Sequence, residues 1–261
     1  MLNYKELFQH FPAEREEKLR NIKRYSMFDV FYYRPTLWHH SLRVSLLVNE
    51  FSEVVKNNLP ALDLEKAKVL VLVHDDAEMI TGDIQLGHKQ QMTEAQLKEV
   101  ENNEIAAIEK LAAMYPKEIG GYNYKDLLFS ALNKNTMEAQ LVSYADKLDA
   151  YCESLHEVLG GNISALRAVT NYVGVLKNLK EKFPDLKPIF QNKNSSLNTT
   201  DFYTDPWRSH KENYIDLGKP HTPETISKET EFIIYNTWKK LVLDNLGAEG
   251  LKILTGQNEK L

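Results

Sequence analysis

The 261-residue chain carries 37 acidic against 32 basic side chains, a net charge of −5. That balance argues against duplex nucleic acid as a main partner, because counterion release needs a basic surface. No apolar run approaches the roughly 18 residues of a membrane span. The charged N-terminus MLNYKELFQHFPAEREEKLR lacks the apolar centre of a secretory signal, and the single cysteine, Cys152, cannot close an internal disulfide. A cytoplasmic protein acting on a small molecule is the expectation.

Helical periodicity dominates from the first third onward. From Leu37, the apolar residues Val44, Leu47, Val48 and Phe51 recur at three- to four-residue spacing, with His40 on the same face. A second helix is predicted over 62–81, with Asp63 as N-cap and Gly82 as stop. Thr93 and Gln96 form the pattern of a capping box for a long helix over 94–115, ended before Pro116. A short helix follows over 125–132. Another, over 136–159, carries Leu141, Ala145, Leu148, Cys152 and Leu155 at helical spacing and closes at Gly160-Gly161. Residues 163–182 are predicted helical, 191–207 read as a polar loop, and Thr222-Pro223-Glu224 opens a last helix to about residue 245. No strand pattern or repeat is evident. The expected class is all-α, with residues 1–160 as the core and 161–261 as a mostly helical C-terminal extension packed on it.

One stretch concentrates the chemistry. VLVHDDAEMITGDI, residues 71–84, follows apolar residues with His74, Asp75 and Asp76, then adds Glu78 and Asp83. On a helix His74 and Glu78 stand at i and i+4, and Asp75 and Glu78 at i and i+3, so the three share one side. That side adjoins Leu70 and Val71, where unpaired charge is expensive unless metal or a partner meets it. His40 offers a second imidazole from the preceding helix. In SYADKLDAY, Asp146 follows the inward pattern of Leu141, Val142 and Ala145, with Asp149 one turn on. Two imidazoles and two carboxylates suit a divalent Mn, Fe, Co, Ni, Zn or Mg ion and leave positions for water and a phosphate oxygen. Glu78 is spaced to move a proton.

The segments HHSLRV, HDDAEMITGD and ADKLDAY resemble those of the HD-domain metal-dependent phosphohydrolases, in particular the bacterial 5′-deoxynucleotidase branch, over about residues 20–160. That resemblance implies an HD-domain helical bundle and one divalent metal held by His40, His74, Asp75 and Asp146. It implies Glu78 as catalytic acid or base and Asp83 as an acid near the nucleotide sugar, selecting for a missing 2′-hydroxyl. An upstream arginine, Arg24 or Arg34, should fork onto the phosphate, with Lys89 as a second phosphate-binding candidate. The implied reaction is release of phosphate from a nucleoside 5′-monophosphate, and a homodimer rests on the resemblance alone. The chain departs from the pattern at His39, where the family often has glutamate, in the aromatic stretch MFDVFYYRPTLW, and in its long C-terminal part.

Plainer readings stand beside these. His39 faces another side of its helix, Asp76 faces solvent or ends a helix, and Asp149 pairs with a lysine. Asp83 reads equally as a turn residue after Gly82. Trp207-Arg208 decorates a surface loop or caps the pocket. His88 is the one histidine between His74 and Asp146, which favours a single metal over a two-metal site and disfavours a di-iron oxygenase. The competing functions are a phosphodiesterase or guanosine-tetraphosphate-type hydrolase and, outside catalysis, a regulatory nucleotide-binding module.

Overall fold

The computed structural model describes residues 3–26, 30, 34–159, 162, 165–190 and 248. The helices in chain order are α1 (Tyr4–Leu7), α2 (Glu14–Asn21), α3 (Leu37–Glu50), α4 (Ser52–Asn58), α5 (Leu64–Leu70), α6 (Glu78–Thr81), α7 (Leu86–Lys89) and α8 (Glu94–Met114). They continue with α9 (Tyr124–Asn133), α10 (Met137–Leu159), α11 (Leu166–Lys182) and α12 (Lys187–Phe190). The all-α expectation holds, with one small departure: β1 (Glu118–Ile119) and β2 (Tyr122–Asn123) pair antiparallel. Among the described residues no helix is long and apolar enough to cross a membrane.

The chain divides into two compact units, with the division falling between Asp146 and Lys147; residues 30–32 group with the second. In the first unit α3 packs on α2 and α5, α5 on α9, and α9 on α8. Val44, Val48 and Phe51 of the α3 region, Val69 and Leu70 of α5, Leu127 and Leu128 of α9, and Leu141 and Ala145 of α10 are all buried. Deeply buried aliphatic and aromatic side chains each contribute about 1.5–3 kcal/mol, so this face-to-face burial dominates the stability of the core. In the second unit α11 packs on a 3₁₀ turn at Pro184–Leu186, burying Val169, Leu176, Phe183 and Leu186. The predicted loop over 191–207, Trp207-Arg208 and the helix opening at Thr222 lie outside the described residues.

Local chemistry explains the boundaries. Asp63 caps α5 by accepting from the Lys66 amide at 3.0 Å, while its own amide donates to Glu138 Oε1 of α10 at 2.9 Å. The Thr93–Gln96 capping box opens α8 as expected. The β pair turns through Gly120 and Gly121, with φ of 57° and 82°. A Cβ at Gly120 would lie 2.8 Å from Val69 Cγ2, so the turn's backbone seats directly on α5.

The helix predicted over 62–81 is broken. The α5 helix stops at Leu70, and residues 71–77 run as tight turns until α6 begins at Glu78. The Leu72, Val73 and Asp76 amides bond to Val69, Leu70 and Val73 oxygens, a three-residue step in place of the α-helical four. Two carbonyls freed by that tightening find side-chain donors instead. Val71 O accepts from His74 Nδ1 at 2.7 Å, and Leu72 O accepts from Arg15 Nη2 at 2.7 Å. Periodicity alone does not reveal such competition.

Candidate metal centre

Three elements of the first unit bring the chemistry together. The α3 helix carries His40, which is fully buried, the 71–77 turns carry His74 and Asp75, and α10 carries Asp146. His40, His74 and Asp146 each offer one donor atom within 4.8 Å of the others. Asp75 joins them: its Oδ2 lies 3.4 Å from His40 Nε2 and 3.3 Å from His74 Nε2. His40 Nε2 is 3.2 Å from Asp146 Oδ1, and the two imidazole centroids are 5.5 Å apart.

The orientation of His74 follows from geometry. Val71 O can only accept, so Nδ1 donates to it and Nε2 is the ring nitrogen turned to the cluster. His74 Nε2 and Asp75 Oδ2 are buried yet form no hydrogen bond with a protein group. Buried polar atoms without partners are costly, and a cation shared between them removes that cost. Two imidazole nitrogens with two carboxylates are a donor set for a divalent ion, so the residues present fit a metal.

Arg24 stands beside the carboxylates, Nη1 at 3.6 Å from Asp75 Oδ2 and Nη2 at 4.0 Å from Asp146 Oδ1. Burial works against its charge, but Tyr25, Asp75, Asp146 and Asp83 outweigh it, and its pKa rises well above the ordinary value. Arg34 has a different task. Its Nη1 donates to the Arg24 carbonyl at 3.3 Å and to the Tyr25 carbonyl, bracing a turn in which Tyr25 takes φ 56°. Gln85 holds the same turn from beyond Gly82 through a 2.7 Å bond to Ser26 Oγ. Of the two arginines, Arg24 therefore turns its guanidinium to the site, while Arg34 donates to the backbone that presents it.

Glu78 opens α6, and its Oε2 is buried without a hydrogen-bond partner. Burial first, then the charges of Asp75 and Asp83, raise its carboxyl well above the usual range, against the pull of Arg24. A carboxyl tuned upward holds its proton more readily than an ordinary carboxylate, which suits it to proton transfer. Asp83 belongs to the same electrostatic group, since Arg24 and Glu78 both feel its charge. Gly82, with φ 77° and ψ 162°, makes the turn that delivers it, a conformation essentially reserved for glycine. Lys89 pairs with Glu104 of α8 at 3.2 Å, which competes with a phosphate role. His88 is exposed, and exposed His39 meets Thr36 Oγ1 at 3.0 Å, at the start of α3.

The expectation that Asp76 faces solvent is overturned. Asp76 is 1% exposed and accepts from Arg15 Nε at 2.9 Å, Arg15 Nη2 at 2.6 Å and Tyr124 Oη at 2.8 Å. A run of three polar residues suggests an exposed corner; only tertiary packing supplies the distant arginine and tyrosine that let one of them turn inward. Arg15 sits in the charged segment AEREEKLR, where nothing local separates it from its solvated neighbours.

An all-α core that gathers histidine, a histidine–aspartate pair and a later aspartate from three separate elements defines an HD-domain protein. Solved structures share the fold: a conserved hypothetical protein of Pyrococcus furiosus superposes with a TM-score of 0.53 at 25% identity, over 67% of this chain and 92% of that one. An HD-domain phosphohydrolase of Listeria innocua superposes with a TM-score of 0.55 at 19% identity, over 69% of this chain and 84% of its own, a likeness of fold. The chain belongs to the YfbR-like 5′-deoxynucleotidase family, whose model matches residues 13–187. Among its relatives, a 5′-deoxynucleotidase of Vibrio vulnificus is 31% identical over 126 residues, covering 47% of this chain and 62% of that protein. The 5′-deoxynucleotidase YfbR of Escherichia coli is 28% identical over 142 residues, covering 53% of this chain and 68% of its own.

Proposed function

We propose that the chain is a metal-dependent phosphohydrolase releasing phosphate from a nucleoside 5′-monophosphate, with deoxynucleotides preferred. The observation that carries this is the convergence of His40, His74, Asp75 and Asp146 with Arg24 beside them. His40, His74, Asp75 and Asp146 would hold one divalent ion, of the series Mn, Co, Fe, Ni, Zn or Mg. Bound there, such an ion supplies Lewis-acid polarisation of a phosphate oxygen and eases deprotonation of water.

The chain's own residues do the rest. Arg24, charged at every working pH, receives the phosphate through its planar fork and offsets the negative charge of the carboxylates around it. Glu78, whose carboxyl is raised by burial and by the nearby carboxylates, takes a proton from water or gives one to the leaving 5′-oxygen. Asp83 meets the sugar and disfavours a 2′-hydroxyl. Family membership supports the nucleotide as substrate, and the relatives named 5′-deoxynucleotidase support the deoxy preference. Lys89 contributes to phosphate binding only if it leaves Glu104.

The extent of residues 1–160 as the catalytic core, with 161–261 as a C-terminal extension, belongs to the same proposal, as do a cytoplasmic location and a homodimer. Light scattering of purified protein tests the last. The decisive experiment is a phosphate-release screen over ribo- and deoxynucleoside monophosphates, sugar phosphates and cyclic nucleotides with Mn, Co and Mg. Release from deoxynucleoside monophosphates supports the proposal. Turnover of cyclic nucleotides alone makes the chain a phosphodiesterase, and nucleotide binding without any turnover makes it a regulatory module.

A further inference from the structure

Arg15 is a buried charge, 2% exposed, whose guanidinium donates four hydrogen bonds. It lies on α2, and its guanidinium is stacked 4.0 Å from the centroid of the Phe8 ring and 5.7 Å from that of Phe11. Nη1 donates to Tyr4 Oη at 2.8 Å. The remaining donors reach the ligand-bearing turns at two points. Nη2 holds the Leu72 carbonyl at 2.7 Å, and Nε with Nη2 grips both oxygens of Asp76 at 2.9 and 2.6 Å. Leu72 and Asp76 bracket His74 and Asp75 by one or two residues on each side. Tyr124 of α9 closes the grip with a 2.8 Å bond to Asp76 Oδ2.

We infer that Arg15, through Asp76 and the Leu72 carbonyl, and with Tyr124, is a positioning residue that sets the geometry of the metal ligands His74 and Asp75. The inference rests on the proposed role of those two residues as ligands. The turns from 71 to 77 lack the α-helical ladder that would otherwise hold them. A fork bound at both ends of a five-residue span fixes the backbone between, and so fixes where Nε2 of His74 and Oδ2 of Asp75 point. Arg15 supplies from outside what the broken helix gives up. An ion pair that served stability alone needs only the carboxylate; the bond to Leu72 O adds nothing to charge neutralisation but anchors the turn upstream of the ligands. The stacking rings and the Tyr4 hydroxyl keep the fork itself from swinging. Supporting partners of this kind typically tune metal affinity by 10–100-fold.

The test uses the full chain, stripped of metal and titrated with Co²⁺, reading the dissociation constant and the visible absorption band, whose shape reports ligand geometry. Three proteins are compared: the unaltered chain, Tyr124→Phe, and the double variant Arg15→Met with Asp76→Leu. The double variant removes the fork without stranding a buried charge, so it preserves folding better than either single change. The expected result is a folded double variant that binds Co²⁺ about 10–100-fold more weakly with an altered band, and a smaller loss in the same direction for Tyr124→Phe. Unchanged affinity and band in a folded double variant would overturn the inference. Should the double variant fail to fold, Tyr124→Phe decides, and an affinity within about twofold of the unaltered chain counts against the inference. Failure of the unaltered chain to bind Co²⁺ at all overturns the metal site itself, a separate outcome.

Discussion

At the residue scale the site separates roles that look interchangeable in the chain. Asp75 and Asp76 are adjacent and chemically identical, yet one Oδ2 lies among imidazoles without a hydrogen bond and the other carboxylate is filled by Arg15 and Tyr124. Burial raises the Glu78 carboxyl, which suits it to proton transfer, while Asp75 Oδ2 lies 3.4 and 3.3 Å from two imidazole nitrogens, a place that suits a cation. Glu78→Gln should therefore keep about the same metal content while lowering kcat by about 10²–10⁴-fold, measured by metal analysis and initial rates on one preparation. Asp83→Ala should bring the ratio of kcat/KM for deoxy- over ribonucleotides towards one, with deoxynucleotide turnover retained. A ratio that stays put would leave Asp83 as a turn residue. Arg24→Ala should reduce kcat/KM more than Lys89→Ala, since Lys89 already has Glu104.

At the element scale, the site depends on places where regular structure stops. Past the end of α5, the Val71 and Leu72 carbonyls freed by the tighter turns are met by His74 and Arg15. The β1–β2 turn supports α5 from the other side by backbone contact at Gly120. Gly120→Ala demands φ 57° of an alanine and a Cβ 2.8 Å from Val69 Cγ2, so it should destabilise the fold by about 2 kcal/mol in denaturant titration. Asp63→Ala removes the α5 cap and should cost about 1 kcal/mol by the same measurement. The first change strains the packing against Val69 of α5; the second frays the start of the same helix.

At the scale of the molecule, two linkages are expected. A divalent ion that binds only the folded chain raises the melting temperature, by the equivalent of about 2.7 kcal/mol at a hundredfold excess over Kd, and a chelator reverses it. Differential scanning fluorimetry with Mn²⁺ and EDTA measures this. The second linkage is to alkali. Burial raises the Tyr4 phenol to about 12 despite Arg15, from the ordinary value near 10. The folded state thus resists a deprotonation that the unfolded chain undergoes. The contribution of this phenol is fully present below pH 10 and is lost as pH rises towards 12. Tyr124, raised by burial and by Asp76, acts in the same direction. Unfolding midpoints between pH 8 and 12 should fall in the upper half of that range, and less steeply in Tyr4→Phe.

What the sequence determined by itself is the periodic part. Apolar spacing located α3, α8 and α10, capping residues located the starts of α5 and α8, and the pattern of His40, His74-Asp75 and Asp146 marked out a candidate ligand set whose side chains the fold brings together. These signals are local, or they repeat at the period of a helix, so a chain read alone carries them. The tertiary structure decided the rest. It broke the helix at 71–77, turned Asp76 inward to an arginine 61 residues away, and chose Arg24 over Arg34 to face the carboxylates. Each of those outcomes depends on which distant donor reaches a given carbonyl or carboxylate first. Burial then makes the contest decisive, because a polar group taken out of water must be met by some partner, and only the folded chain determines which one is near.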